Sequence, residues 1–214
     1  MCGSCVKICP ADAIEIAGKT VSSDEVIKTA LSDKEFFEDS GGGLTISGGE
    51  PFMQADFLTE ILKAAKNNFL HTCVETCGFC DEERLIEASE YIDIFLFDYK
   101  LSDSALHKKY TGVGNEKILS NLHAIDKIGS DIILRCPIIP GVNDTDEHFK
   151  GIADTANSLH NILRIEIAPY HELGISKSMR LGKTVNTFTV PEKEDAQRYI
   201  DEIKKYTSVQ VKRM

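Results

Sequence analysis

GLTISGGEPFMQADFLTEILKAAK, residues 43–66, reads as one strand, one turn and one helix. Leu44-Thr45-Ile46 is a short apolar run. Ser47-Gly48-Gly49 ends it, and residues 54–66 repeat apolar positions at helical spacing. The same unit recurs outward from there. Strands are expected at 72–76, 93–97, 131–136, 163–167 and 209–211. Helices are expected at 81–89, 115–128, 144–159 and 191–206. Before the first strand, the charged amphipathic stretch 23–39 reads as a helix capped by Ser22 or Ser23. Short apolar strands alternating with helices imply an α/β fold built on a parallel sheet. Right-handed crossovers put every strand C-terminus on one edge, where such proteins place their chemistry. A complete eight-stranded barrel takes ~250 residues, so a chain of 214 residues holds a partial one. Residues 21–214 are assigned to that partial (β/α) barrel, and residues 1–20 to a separate small module.

Composition narrows the function. Asp and Glu number 34 against 24 Lys and Arg, a net charge of −10. That balance argues against a broad nucleic-acid surface or a polybasic membrane patch. No apolar run approaches the ~18 residues of a membrane helix. The opening Met1-Cys2-Gly3-Ser4-Cys5 is not a signal peptide, because no apolar stretch follows a basic one. A cytoplasmic protein is expected, with no nucleic-acid or membrane partner. Its seven cysteines then read as metal or redox chemistry before disulfides.

Several residues at or just past strand ends should face one pocket. Gly48 and Gly49 let a ligand approach the backbone closely, and Glu50 beside them suits an ammonium group. Asp98 and Lys100 flank Tyr99 and share one strand face, where an anion and a cation can grip a zwitterion. Glu75, with Thr76, ends the neighbouring strand. Glu75 near Asp98 brings two carboxylates together, which is costly unless a cation lies between them. Arg135 interrupts an apolar strand and needs an anion. His171 follows Ala168-Pro169-Tyr170 at another strand end. Singly, each also fits an ordinary turn, a surface ion pair or a packed histidine.

The cysteines form two groups. Cys2-x2-Cys5-x3-Cys9-Pro10 matches three quarters of the bacterial ferredoxin run C-x2-C-x2-C-x3-C-P. The missing first cysteine falls before Met1, so an incompletely liganded iron–sulfur site is expected. Cys73-x3-Cys77-x2-Cys80 has the spacing of clusters that cleave S-adenosylmethionine. Residues 73–77 read as strand, however, and span ~13 Å, too far to bridge one cube easily. These three are expected to be packed or semi-exposed thiols.

Six segments in order carry a family likeness: 43–51, His71-Thr72 with 75–79 (ETCGF), Asp98-Tyr99-Lys100, 107–121 (HKKYTGVGNEKILSN), 134–144 (LRCPIIPGVND) and 169–174 (PYHELG). On these the chain resembles the radical S-adenosylmethionine (SAM) enzymes that activate glycyl-radical enzymes, the pyruvate formate-lyase activating enzyme type. The resemblance implies SAM and 4Fe-4S clusters as cofactors, and a glycyl-radical enzyme as partner. A flavodoxin or ferredoxin-type electron donor is implied as well. It implies that Gly48, Gly49 and Glu50 hold the cofactor's amino group. Asp98 and Lys100 would hold its carboxylate and ribose side, with His171 near the adenosine and Tyr99 and Arg135 also among the cofactor-binding residues. Glu75, Thr76 and Asp98 would hold a monovalent cation. Cys2, Cys5 and Cys9 would be remnants of a ferredoxin-like insert. In that family the site cluster is held by a C-x3-C-x2-C loop after a first barrel strand, upstream of the insert. Against that pattern the chain is expected to lack its first βα unit and to be inactive alone, with no catalytic residue of its own assigned.

Three other readings compete. One is a ribonucleotide-reductase activase or sulfatase-maturing relative. Another is a ferredoxin-like electron-transfer module on a non-catalytic barrel. The third is a metal-free phosphate-binding barrel, whose usual late glycine-rich loop is absent.

Overall fold

The computed structural model describes residues 2–16, 18–182 and 187–214. Six strands form one sheet: β1 (Leu44–Ile46), β2 (Thr72–Thr76), β3 (Ile94–Asp98), β4 (Asp131–Ile138), β5 (Ile162–Pro169) and β6 (Val211–Arg213). All pair in parallel, and their order across the sheet is their order in the chain. An open doubly wound sheet reverses its strand order partway across. A sheet that never reverses winds one way, so its helices fall on one side, as in a barrel wall. The fold is therefore the expected α/β partial barrel.

Helices α1 (Ser4–Lys7), α2 (Ser23–Leu31), α3 (Lys34–Ser40), α4 (Ala55–Asn67) and α5 (Glu82–Ser89) precede β3. Helices α6 (Ser104–Thr111), α7 (Glu116–Lys127), α8 (Asp146–Asn157), α9 (Ile175–Arg180) and α10 (Lys193–Lys204) follow it. Val74, Phe95, Phe97, Leu134 and Ile165 pack with Leu58, Leu85, Leu122 and Ile152 in the main core. The alternate strand residues, Glu75, Asp98, Arg135 and Glu166 among them, face away from the helices.

The expected single helix over 23–39 is two helices. Ser22 caps α2 through a capping box with Glu25. At the other end Ser32 Oγ donates to the Thr29 carbonyl, 2.6 Å, and Asp33 N–H turns back to Ala30. These short-range bonds compete with the helical ladder and end it. Helices α6 and α9 lie in stretches that the periodicity had left unassigned, and the last strand falls two residues later than expected. Before Val21, none of the described residues is buried. No helix among the described residues is long and apolar enough to cross a membrane.

Candidate functional site

Strand alternation decides which candidates meet. The β3–β4 register sets Asp98 beside Arg135, and β4–β5 sets Arg135 beside Glu166. Arg135 finds its anions there: Nη1 lies 3.0 Å from Glu75 Oε1, and Nε 3.3 Å from Glu166 Oε2. Glu166, nearly enclosed, also takes Arg164 at 2.8 Å and Lys212 at 3.5 Å. Burial works against its charge, yet Arg164, Arg135 and Lys212 hold its carboxyl below the ordinary range. A ladder of alternating charge thus crosses β2, β4, β5 and β6. Only Arg135 and Glu75 of this ladder had been singled out. Glu166 carries the same signal as Arg135, a charge inside an apolar strand.

Lys100 Nζ lies 3.3 Å from Asp98 Oδ2, at the end of β3. Burial raises the Asp98 carboxyl above its usual value and Glu75 adds to this, while Lys100 pulls the other way. Both side chains line a hollow of about 260 Å³ with Cys77, Phe79, His107 and Val113. Ligand pockets usually measure ~300–1,000 Å³, so this hollow has room for only one end of a molecule of that size.

Tyr99 is a correction. It lies between Asp98 and Lys100 in a strand of period two, so its ring faces the helices and is buried. Its hydroxyl accepts from Thr155 Oγ1 at 3.1 Å and reaches the Gly151 carbonyl at 3.4 Å. It anchors β3 to α8 and does not line the hollow with Asp98 and Lys100.

Thr76 is a second correction. Its hydroxyl lies on the face opposite Glu75 and donates to Glu50 Oε1, 2.7 Å. It does not face the space between Glu75 and Asp98. Glu50 is correspondingly occupied: Oε2 accepts from the Cys77 N–H at 2.9 Å, and Oε1 also from the Phe52 N–H at 3.3 Å. Its carboxylate latches the turn after β1 to the end of β2. The backbone of Gly48 and Gly49 remains open, since no atom lies within 4 Å of where a side chain would begin. Gly48, at φ +142, also holds a conformation that L side chains avoid.

His171 lies past β5 on the same edge. Its Nδ1 accepts from the Leu173 N–H at 3.4 Å and caps a short 3₁₀ turn, and the ring is exposed. Among the described residues it shares no hydrogen bond or ion pair with the other candidates.

All seven cysteines are free thiols. Cys73 lies on the open face of β2, while Cys77 and Cys80 follow in the loop. Burial raises all three thiols, Cys80 to about 12 with Glu50 adding to the effect. That disfavours the thiolates an iron–sulfur cluster needs. Cys2 and Cys9 are lowered, chiefly by hydrogen bonds from Ser4 and from the Ala11 backbone. Among the described residues, no three His, Cys, Asp or Glu side chains stand together as a metal site. The described cysteines therefore do not assemble a cluster, while Asp98 and Lys100 present an anion and a cation at the strand edge.

Periodicity missed a group of buried amides. Asn143 Nδ2 donates to the carbonyls of Lys100 and Pro137, at 2.9 and 2.8 Å. Asn115 Nδ2 donates to Leu101 and Ser102, both at 3.0 Å. Asparagine just before a helix start was the available signal, and it also fits an ordinary cap.

Known proteins resemble the chain in sequence and fold. The radical SAM superfamily profile matches residues 7–156. The chain is 42% identical to the (2S)-3-sulfopropanediol sulfolyase activating enzyme of Bilophila wadsworthia, over 86% of this chain and 70% of that one. It is 36% identical to the choline trimethylamine-lyase activating enzyme of Oleidesulfovibrio alaskensis, over 81% of this chain. It spans 57% of that relative's length. A crystallised domain of pyruvate-formate lyase-activating enzyme from Bacteroides vulgatus superposes with a TM-score of 0.68 at 28% identity. That match covers 81% of this chain and 99% of the domain. Profile, relatives and fold agree, and the chain belongs to the radical SAM superfamily, within its glycyl-radical enzyme activating enzymes.

Proposed function

We propose that the strand edge of this chain binds SAM, as part of an enzyme that installs a glycyl radical on a partner enzyme. One observation carries the reading: the half-buried Asp98–Lys100 pair stands at the rim of a hollow on the edge that also bears the open Gly48–Gly49 backbone. A zwitterionic amino-acid end matches an anion and a cation set that close together. Lys100 would take the ligand's carboxylate. The bare glycine turn would receive its ammonium against backbone carbonyls, since Glu50 already accepts three donors. Arg135, tied to Glu75 and Glu166, would stiffen the floor without touching the ligand. His171, at the cap of its short 3₁₀ turn, would lie toward the adenosine.

When bound, SAM would be held by Lys100 and the Gly48–Gly49 backbone and would supply one-electron chemistry directed at a glycine of the partner. The residues of this chain orient the sulfonium ligand and exclude water from it. A flavodoxin or ferredoxin-type donor, a monovalent cation near Glu75 and Asp98, and a cytoplasmic location complete the proposal. The free state of all seven cysteines suits a reducing compartment. Residues 1–20, with Cys2, Cys5 and Cys9, are proposed as a ferredoxin-like piece apart from the barrel. That none of its described residues is buried supports the division.

The test is calorimetric titration of the chain with SAM. Wild type should bind, and Lys100→Met should weaken binding at least about tenfold, as expected for a charged hydrogen bond. A wild-type chain that releases no heat and retains no SAM in equilibrium dialysis would overturn the reading.

A further inference from the structure

We infer that Asn143, with Asn115 behind it, is a positioning residue that sets Lys100 for the carboxylate of the bound amino acid. The inference rests on the site reading above and deepens it.

The β3–β4 ladder runs out at Asp98 and Arg135. One more backbone bond follows, from the Tyr99 N–H to the Arg135 carbonyl at 2.7 Å. Beyond it the two chains part. The next carbonyls on each side, Lys100 and Pro137, would be left without donors. The Asn143 side-chain amide lies between them and gives one N–H to each. Its Oδ1 accepts from the Ile139 N–H at 2.7 Å. One buried side chain therefore continues the sheet for another rung, where no peptide of β4 can serve. Pro137 itself has no N–H to offer.

The loop beyond Lys100 is held with equal economy. Asn115 occupies the carbonyls of Leu101 and Ser102. The Ser102 N–H donates to His148 Nδ1 at 3.2 Å. Asn115, Asn143 and His148 are all buried. On the other side of Lys100, Tyr99 is pinned to α8. Three consecutive carbonyls, 100–102, thus end on buried amides from two other loops. A lysine side chain is flexible, with about 2 kcal/mol of rotamer entropy. Fixing its backbone on both sides narrows where the ammonium can go, which lowers the entropy lost when it meets a carboxylate. Asn143 touches no ligand. It acts through Lys100.

A ligand without the carboxylate separates positioning from general stability. SAM and its decarboxylated analogue are titrated into the full chain, as wild type, Asn143→Ala, Lys100→Met and the double variant. Asn143→Ala should weaken SAM about tenfold, the size of one lost buried hydrogen bond, and leave the decarboxylated compound unchanged. The double variant should bind SAM no more weakly than Lys100→Met alone. Equal loss for both compounds, or additive losses in the double variant, overturns the positioning role and leaves the SAM site standing. A wild-type chain that binds neither compound overturns the site reading and this inference with it. Melting curves accompany each variant. If Asn143→Ala does not fold, Asn115→Ala replaces it, with the same selective loss expected at about threefold and equal loss again decisive against the role.

Discussion

Glu50 stands in the turn after β1 with its carboxylate committed to Thr76, Cys77 and Phe52. A glycine-glycine-glutamate turn invites the reading that the acid itself meets a ligand cation. The structure gives the acid a different job, because three donors crowd two oxygens and two of those donors are peptide N–H groups. Removing it should unfasten two strand ends at once. Glu50→Ala is expected to lose about 3 kcal/mol in urea denaturation, the range for hydrogen bonds to a charged acceptor. Thr76→Val, which removes one of the three donors, should lose about 1 kcal/mol. Which residue types gather at the strand ends was legible from the chain. How each spends its hydrogen bonds was not, because partners such as Glu50 and Thr76 are joined only by folding. Tyr99 illustrates the opposite failure. Its burial follows from strand alternation already visible in the sequence, and the family motif, taken as a block, concealed it.

The strands were the clearest elements to read, and β2 falls on its expected residues. Period-two burial and apolar runs bounded by turns leave little freedom there. Helix ends were less legible, since Ser32 and Asp33 break the 23–39 stretch through local bonds that periodicity does not register. Gly43 shows a constraint of similar kind between elements. A side chain there would begin 2.2 Å from the His71 carbonyl oxygen, and that oxygen accepts from the Leu44 N–H at 2.8 Å. Backbone cannot yield as a side-chain tip can. Gly43→Ala should therefore part β1 from β2. Hydrogen exchange is expected to quicken at Leu44 and at neighbouring β1 amides, while β3 and β4 amides keep their protection.

Across the whole molecule, acid should cost stability through one buried histidine. Burial lowers His148 from 6.5 to about 4, with no charged neighbour contributing. The unfolded chain therefore binds a proton that the folded chain refuses between those values. Stability is whole above about pH 6.5 and falls as pH drops toward 4, by about 3 kcal/mol at most. His148→Gln should flatten that part of the pH–stability curve, as urea midpoints at pH 7.5 and 5 would show. A slope that survives the substitution would place the sensitivity elsewhere. The order of the sheet reaches further still. Each strand's first partner is the strand made just before it, so no segment has to wait for a distant mate. Assembly can proceed like courses of brick laid from one end, each closing over the helix that joins it to the last. Pulse-labelled refolding of the chain should then show protection spreading as a front, with β2 to β4 shielded ahead of β6.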